Sequence, residues 1–333
     1  MSIRLKCCGR TDPIGVDRDR LWLTIETDGN EAIHSCRFRI ATSIENLAMA
    51  RYTEVIDSGS DPYAAVYPQK ELLGERTRYY WNAEVRTDSG KRTTEPAFFF
   101  TVLDSWSADW ITGASSGKSV LSFRKDFLVQ GKITDARLYI CGLGYYNAAL
   151  NEKALDDRYY KPLMTDYGRR HHEDNEFLCD AANYRVTYYT YDVTDYLQPG
   201  GNVLAVDIAN GYYCNTDRIT EEPDFSYGNA KLIFELHYTE DGQRKRIKSD
   251  PSTKTRVCNC ESTLYEGDRI DFTKEQAPFT ESQIAPPPGG KLIGPQCEDD
   301  CVKAVLRPVS EKQTDSGTLY DFGVNHSGGL HIR

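Results

Sequence analysis

Apolar and polar residues alternate with period two in nearly every interpretable stretch of this chain. "RYYWNAEVRTDSGKRT" places Tyr79, Trp81, Ala83 and Val85 on one face and turns at Asp88-Ser89-Gly90. "ARLYICG" does the same with Ala136, Leu138 and Ile140, and "NVLAVDIANG" with Leu204, Val206 and Ile208. "KLIFELHYTEDGQ" ends in an Asp241-Gly242 hairpin turn, and the basic run Arg244 to Lys248 is the polar exit of that hairpin. No stretch keeps helical periodicity over three turns. A single helical turn is expected in "TYDVTDYLQPGGN", capped by Thr194 or Asp195 and closed by Pro199-Gly200-Gly201. The final residues Leu330, His331, Ile332 and Arg333 alternate like the opening of another strand. The pattern predicts an all-β fold of tandem β-sandwiches.

Two breaks divide the pattern. The first falls between "AFFFTVL" and "DSWSADWITGASSGKS", where a strand run gives way to small polar residues. The second is "IAPPPGGK", Ile284 to Lys291, whose prolines cannot donate to a ladder. The expected division is 1–104, 105–284 and 285–333. That last piece is too small to bury a sandwich core by itself.

Composition narrows the function. The 22 Tyr, 12 Phe and 4 Trp suit sheets. A net charge of −10 with scattered basic residues argues against a nucleic-acid partner. No apolar run approaches a bilayer-spanning helix, and the N-terminus has no signal-peptide core, so neither a membrane partner nor that export route is expected. The ten cysteines stand mostly alone and read as reduced thiols, which points to a cytoplasmic protein.

Several motifs invite chemistry and yield to plainer readings. "GASSGKS", Gly113 to Ser119, has three residues between its glycines where a phosphate loop needs four, and a strand pattern follows where a helix is required. Cys258 and Cys260 with Cys297 and Cys301 have zinc-type sulfur, and His171 to Asp174 have ligand-type side chains, but spacing favours ordinary thiols and a solvated loop. The densest acidic group is Asp156, Asp157, Asp166, Asp192 and Asp195, and no G-x-S-x-G turn is present. The residues alone define no active site.

"LYICGLGYYNAALNEKALDDRYYKPLMTDYGRR" followed by "TYYTYDVTDYLQPGGNVLAVDIANGYY" resembles the N-terminal sandwich of bacterial α-L-rhamnosidases. The matching stretches are Gly142 to Tyr146, Asn151-Glu152, Met164 to Tyr167, Tyr191 to Thr194 and Ala209 to Tyr213. Ile56 to Gly59 and "WSADWI" resemble that family's preceding domain, Tyr265 to Phe272 a downstream element, and "YDFGVNHSGG" the start of its next sandwich. Asp-Val-Thr with the following Pro-Gly also resembles sandwiches in front of β-galactosidase-type barrels, but Thr165-Asp166-Tyr167 and Asp321-Phe322-Gly323 favour the rhamnosidases. The sequence departs from the family where Glu152 replaces a turn glycine, Met164 and Gly329 replace tryptophans, and Val324 replaces a glutamine.

The resemblance implies a fibronectin III-like sandwich over 1–104, a jelly-roll or galactose-binding-like sandwich over 105–284, and a linker with the first strands of a third, truncated sandwich over 285–333, together a non-catalytic accessory region. In the family, an (α/α)₆ barrel beyond these sandwiches hydrolyses terminal α-L-rhamnosides with an inverting pair of carboxylates. The chain alone is then expected to be inactive, with its own catalytic domain and a rhamnose-containing glycan as partners. The alternatives are a stand-alone rhamnose-binding module and a structural assembly module. For sugar contact the resemblance points to Tyr146, Asp166, Asn210, Tyr212 and Tyr213; for a calcium ion, to Asp156, Asp157, Asn210 and Asp217.

Overall fold

The computed structural model describes residues 2–67, 73–103, 105–114, 117–168, 184–215, 226–265 and 267–331. The predicted all-β architecture is present. In the N-terminal part, one sheet orders β1 (Ile3–Cys7), β3 (Trp22–Thr27) and β6 (Ala64–Val66). The facing sheet orders β2 (Ile14–Val16), β9 (Ala97–Thr101), β7 (Arg78–Thr87), β4 (Ile33–Ala41) and β5 (Glu54–Asp57), with β8 (Gly90–Thr93) on β7. Tyr79, Trp81, Ala83 and Val85 all point inward from β7, meeting Phe38, Ile40 and Phe99. The short helix α1, Ile44–Ala48, is capped by Ser43, whose Oγ accepts from the Asn46 N–H at 3.1 Å. Five residues are too few for the periodicity of a helix to show in the sequence.

The middle part is a second two-sheet sandwich. Its first sheet orders β16 (Tyr189–Asp192), β12 (Ile133–Leu143), β18 (Lys231–Glu240), β10 (Ile111–Thr112) and β23 (Gln283–Ile284), with β19 (Gln243–Lys248) on β18. The second orders β14 (Lys153–Ala154), β13 (Tyr145–Leu150), β17 (Gly200–Ala209), β11 (Ser119–Val129), β20 (Lys254–Thr263) and β21 (Gly267–Ile270), with β22 (Thr280–Glu281) on β20. Leu138, Ile140, Leu204, Val206, Ile208, Phe123 and Phe234 fill the space between them. Burying each such side chain contributes about 2 kcal/mol. β12 is buried on both faces, since Tyr139 and Cys141 are covered as fully as Leu138 and Ile140. The "GASSGKS" stretch runs into strand β11, as a linker does.

Two local expectations are corrected. The turn Thr194–Tyr196 is a 3₁₀ turn whose start has no side-chain cap; instead Asp192 accepts from the Thr194 N–H (3.2 Å) and Oγ1 (2.7 Å). An aspartate two residues earlier reaches the same amide, so the acceptor comes from outside the turn. At the C-terminus, Leu330 and His331 lie in no strand among the described residues; Ile332 and Arg333 lie outside them.

Beyond the prolines the chain returns to the sandwiches. β24 (Lys291–Ile293) runs parallel to β15 (Arg185–Thr187), and the Gly294 N–H donates to Asp17 Oδ2 at 2.7 Å. Residues 1–155 and 160–298 form one compact unit; 156–159 and 299–333 form another. Within the second unit, β25 (Ser310–Thr314) and β26 (Gly317–Asp321) make a hairpin, and Arg158 pairs with Asp299 at 3.0 Å. Val305, Val309, Leu319 and Tyr320 are exposed there.

Candidate functional site

One end of the middle sandwich is built from two copies of the tripeptide Gly-Tyr-Tyr. Gly144-Tyr145-Tyr146 opens β13, and Gly211-Tyr212-Tyr213 follows β17. Tyr145 pairs with Ala209 in the ladder, which brings the two copies side by side. Their glycines allow the close approach. A Cβ on Gly211 would lie 2.7 Å from the Tyr145 amide nitrogen and 2.8 Å from the Gly144 carbonyl carbon. Gly144 has φ +134°, and a Cβ there would lie 2.3 Å from the Ala209 oxygen.

In both copies the first tyrosine is half-buried and the second faces the core. Tyr146 and Tyr213 are each only 3% exposed. Tyr145 and Tyr212 meet edge to face with centroids 5.7 Å apart at 81°, and Tyr160 meets Tyr145 on another side at 5.3 Å and 63°. Tyr160 is 58% exposed. Burial, followed by the Tyr212 hydroxyl, raises the Tyr145 pKa, so the Tyr145 phenol stays a neutral hydrogen-bonding group at ordinary pH. Beneath lies a second aromatic layer. Tyr213 and Tyr227 stack at 5.8 Å, Tyr167 stands edge-on to both, and Lys231 Nζ sits 5.6 Å from the Tyr213 ring centroid while donating to the Pro286 oxygen. Burial pushes the Tyr213 phenol up to about 12 and lowers the Lys231 pKa.

Four of the sugar-contact candidates, Tyr146, Asn210, Tyr212 and Tyr213, lie at this end of the sandwich. Tyr146, turned inward by strand alternation, and Tyr213, in the turn after β17, are both buried; the rings that keep exposed area at this end are Tyr145, Tyr160 and Tyr212. The repeated Gly-Tyr-Tyr was the available signal: within each pair, one ring must face outward. Asn210 is buried in the wall of a hollow of about 100 Å³ lined also by Cys214, Ser226, Gly228 and Asn229. Small-molecule pockets run to roughly 300 Å³ and more, so this hollow is small beside them. Asp166 is exposed, and its carbonyl accepts from the Arg185 N–H.

Asp156 and Asp157 belong to the second unit, Asn210 to the first, and Asp217 lies outside the described residues, as do His171 to Asp174. Among the described residues no group of three His, Cys, Asp or Glu side chains is placed to hold a metal ion. Cys258 and Cys260 share one face of β20 as free thiols. The buried carboxylates anchor backbone. Glu235 accepts from the Ser107 and Ala108 amides and His237 Nε2, Glu240 from the Gln130 and Gly131 amides, and Asp17 from Gly294.

Residues 131–287 match the family model described as the α-L-rhamnosidase N-terminal domain. The middle sandwich is a domain of that family. The agreement extends beyond it. An α-L-rhamnosidase of Formosa agariphila is 25% identical over 316 residues, covering 80% of this chain and 31% of the relative. One from Streptomyces avermitilis is 31% identical over 183 residues, covering 54% of this chain and 16% of the relative. The solved α-L-rhamnosidase from Dictyoglumus thermophilum superposes with a TM-score of 0.72 and 26% identity over 96% of this chain and 38% of that one. The Aspergillus terreus enzyme, at a TM-score of 0.70 and 20% identity, shares the fold. This chain therefore spans about a third of the length of the rhamnosidases from Formosa and Dictyoglumus.

Proposed function

We propose that this chain is the non-catalytic front region of an α-L-rhamnosidase-type glycoside hydrolase, acting on rhamnose-containing glycans through a catalytic domain outside these 333 residues. The carrying observation is the ordered similarity of two sandwiches to the first third of rhamnosidases, combined with the use of Asp17, Glu235 and Glu240 as backbone anchors. Glycoside hydrolysis needs two carboxyl groups facing each other across the scissile bond, at roughly 5–10 Å. Glu235 accepts the Ser107 and Ala108 amides, and with His237 these bonds hold its pKa at about 2 despite burial, so it does not serve as the proton donor.

The role in such an enzyme is to supply a rigid platform beside the substrate cleft. The test is hydrolysis of an aryl α-L-rhamnopyranoside by the 333-residue chain. The expected rate is that of buffer. Turnover proportional to protein concentration, surviving repurification, overturns the proposal.

A further inference from the structure

The ladder between β11 and β20 is irregular where Cys258 and Cys260 stand. Leu121 pairs with Val257 and Ser119 with Glu261, so Cys258, Asn259 and Cys260 lie against Val120. A bulge bends its strand and re-aims the side chains on it. On the other flank Cys260 pairs with Ile270, and the Asn259 side-chain amide donates to the carbonyls of Asp271 (2.9 Å) and Lys274 (3.1 Å). The residue between the two cysteines is thereby pinned. Both thiols are partly exposed, whereas Cys7, Cys8, Cys36, Cys141 and Cys214 are buried. Burial, then the Asp207 carboxylate, raises the Cys258 pKa, with Arg256 acting against them; burial, then Asp268 and Asp207, raises that of Cys260. One exposed carboxylate of β17 acts on both sulfurs, which places them together on the outer side of the sheet.

Two sulfurs are too few for structural zinc, which takes four ligands, and among the described residues no third His, Cys, Asp or Glu completes a set. A two-coordinate soft cation needs only two. Same-face residues of a strand stand about 6.6 Å apart. A linear sulfur–metal–sulfur unit spans about 4.6 Å, two bonds of roughly 2.3 Å, and side chains leaning together from one face reach it. Thiolate softness selects copper(I) for such a place. We infer that Cys258 and Cys260 form a two-sulfur site for copper(I) on the outer face of the middle sandwich. Each S–H bond gives its proton to water, each sulfur bonds the metal, and copper stays monovalent throughout. The complex carries one net negative charge. Arg256 beside Cys258 offsets that charge, while Asp207 and Asp268 oppose it. The site is independent of the rhamnosidase reading.

The test is an anaerobic titration of the reduced full chain with copper(I), supplied as its acetonitrile complex, against the chromophoric chelator bicinchoninate. The chain is expected to withdraw copper from the chelator, with affinity at least about tenfold weaker in Cys258→Ser and in Cys260→Ser. Cys297→Ser, an exposed thiol elsewhere, should leave that affinity unchanged. Asp207→Asn should tighten binding, since it removes an opposing charge while keeping both sulfurs. X-ray absorption at the copper edge should show two sulfur neighbours. Urea midpoints of the copper-free variants equal to that of the parent show that loss of binding is loss of the ligand and not of the fold. Uptake unchanged in the Cys258→Ser/Cys260→Ser double variant overturns the site. No uptake by the parent chain, or a copper shell of four sulfurs, overturns it as well.

Discussion

Asp17 and Gly294 are 277 residues apart in sequence, yet the Asp17 carboxylate accepts the buried Gly294 N–H at 2.7 Å. Asp17 follows β2 in the first sandwich, and Gly294 follows β24, which is paired to β15 of the second. The bond therefore ties both sandwiches together through a strap of chain that has already passed the prolines. Lys291 pairs with Asp19 and Lys6 with Glu298 along the same strap. Those pairs are solvent-exposed on at least one side and contribute little. The Arg137 guanidinium, held by Asp135 and Asp192, adds a contact over the Phe100 ring at 5.0 Å.

Asp17→Ala leaves the Gly294 N–H buried without this acceptor and should lower stability by about 2 kcal/mol. Gly294→Ala should cost a similar amount, because its Cβ would lie 2.4 Å from the Gly15 backbone oxygen. Urea denaturation followed by tryptophan fluorescence measures both. Lys291→Ala, by contrast, should shift the midpoint little.

A turn departure from the family has a measurable consequence. Asn151 and Glu152 join β13 to β14 and have φ of +52° and +66°. The left-handed region suits asparagine and glycine but strains a glutamate. Glu152→Gly should therefore stabilise the chain by about 1 kcal/mol, read as a rise in melting temperature. No gain would mean that the glutamate makes a compensating contact.

Acid should loosen the join between the sandwiches at Glu235, which is 1% exposed. Burial alone would raise its pKa, but hydrogen bonds from His237 and Ser107 outweigh that and hold it at about 2. An unfolded glutamate titrates near roughly 4.3. The folded pKa is the lower one, so the stabilisation is complete above about pH 5 and is lost as pH falls toward 2. Glu235→Gln should be less stable at pH 7 by about 2 kcal/mol, with the gap closing below about pH 4. A gap independent of pH would show that packing, not charge, holds Ser107 and Ala108.

The sandwiches were legible because alternation on a half-buried strand leaves a direct trace: Tyr79, Trp81, Ala83 and Val85 all face the first core. β12 was legible only in part, since a strand covered on both faces carries Tyr139 and Cys141 inward as well. The strap was not legible. Its partners are main-chain groups and a carboxylate hundreds of residues away, and neither hydrophobic period nor composition encodes that pairing. The tyrosine end was half-legible. Gly142 to Tyr146 and Ala209 to Tyr213 marked the place, but which ring of each pair faces water depends on the register of β13 and on the turn after β17.

The most direct measurement is to read the coding sequence immediately past the Arg333 codon. An open frame continuing for several hundred codons with amphipathic helical pattern, carrying paired acidic residues, is the expected result for the front region of a rhamnosidase. A stop codon at that position would contradict it.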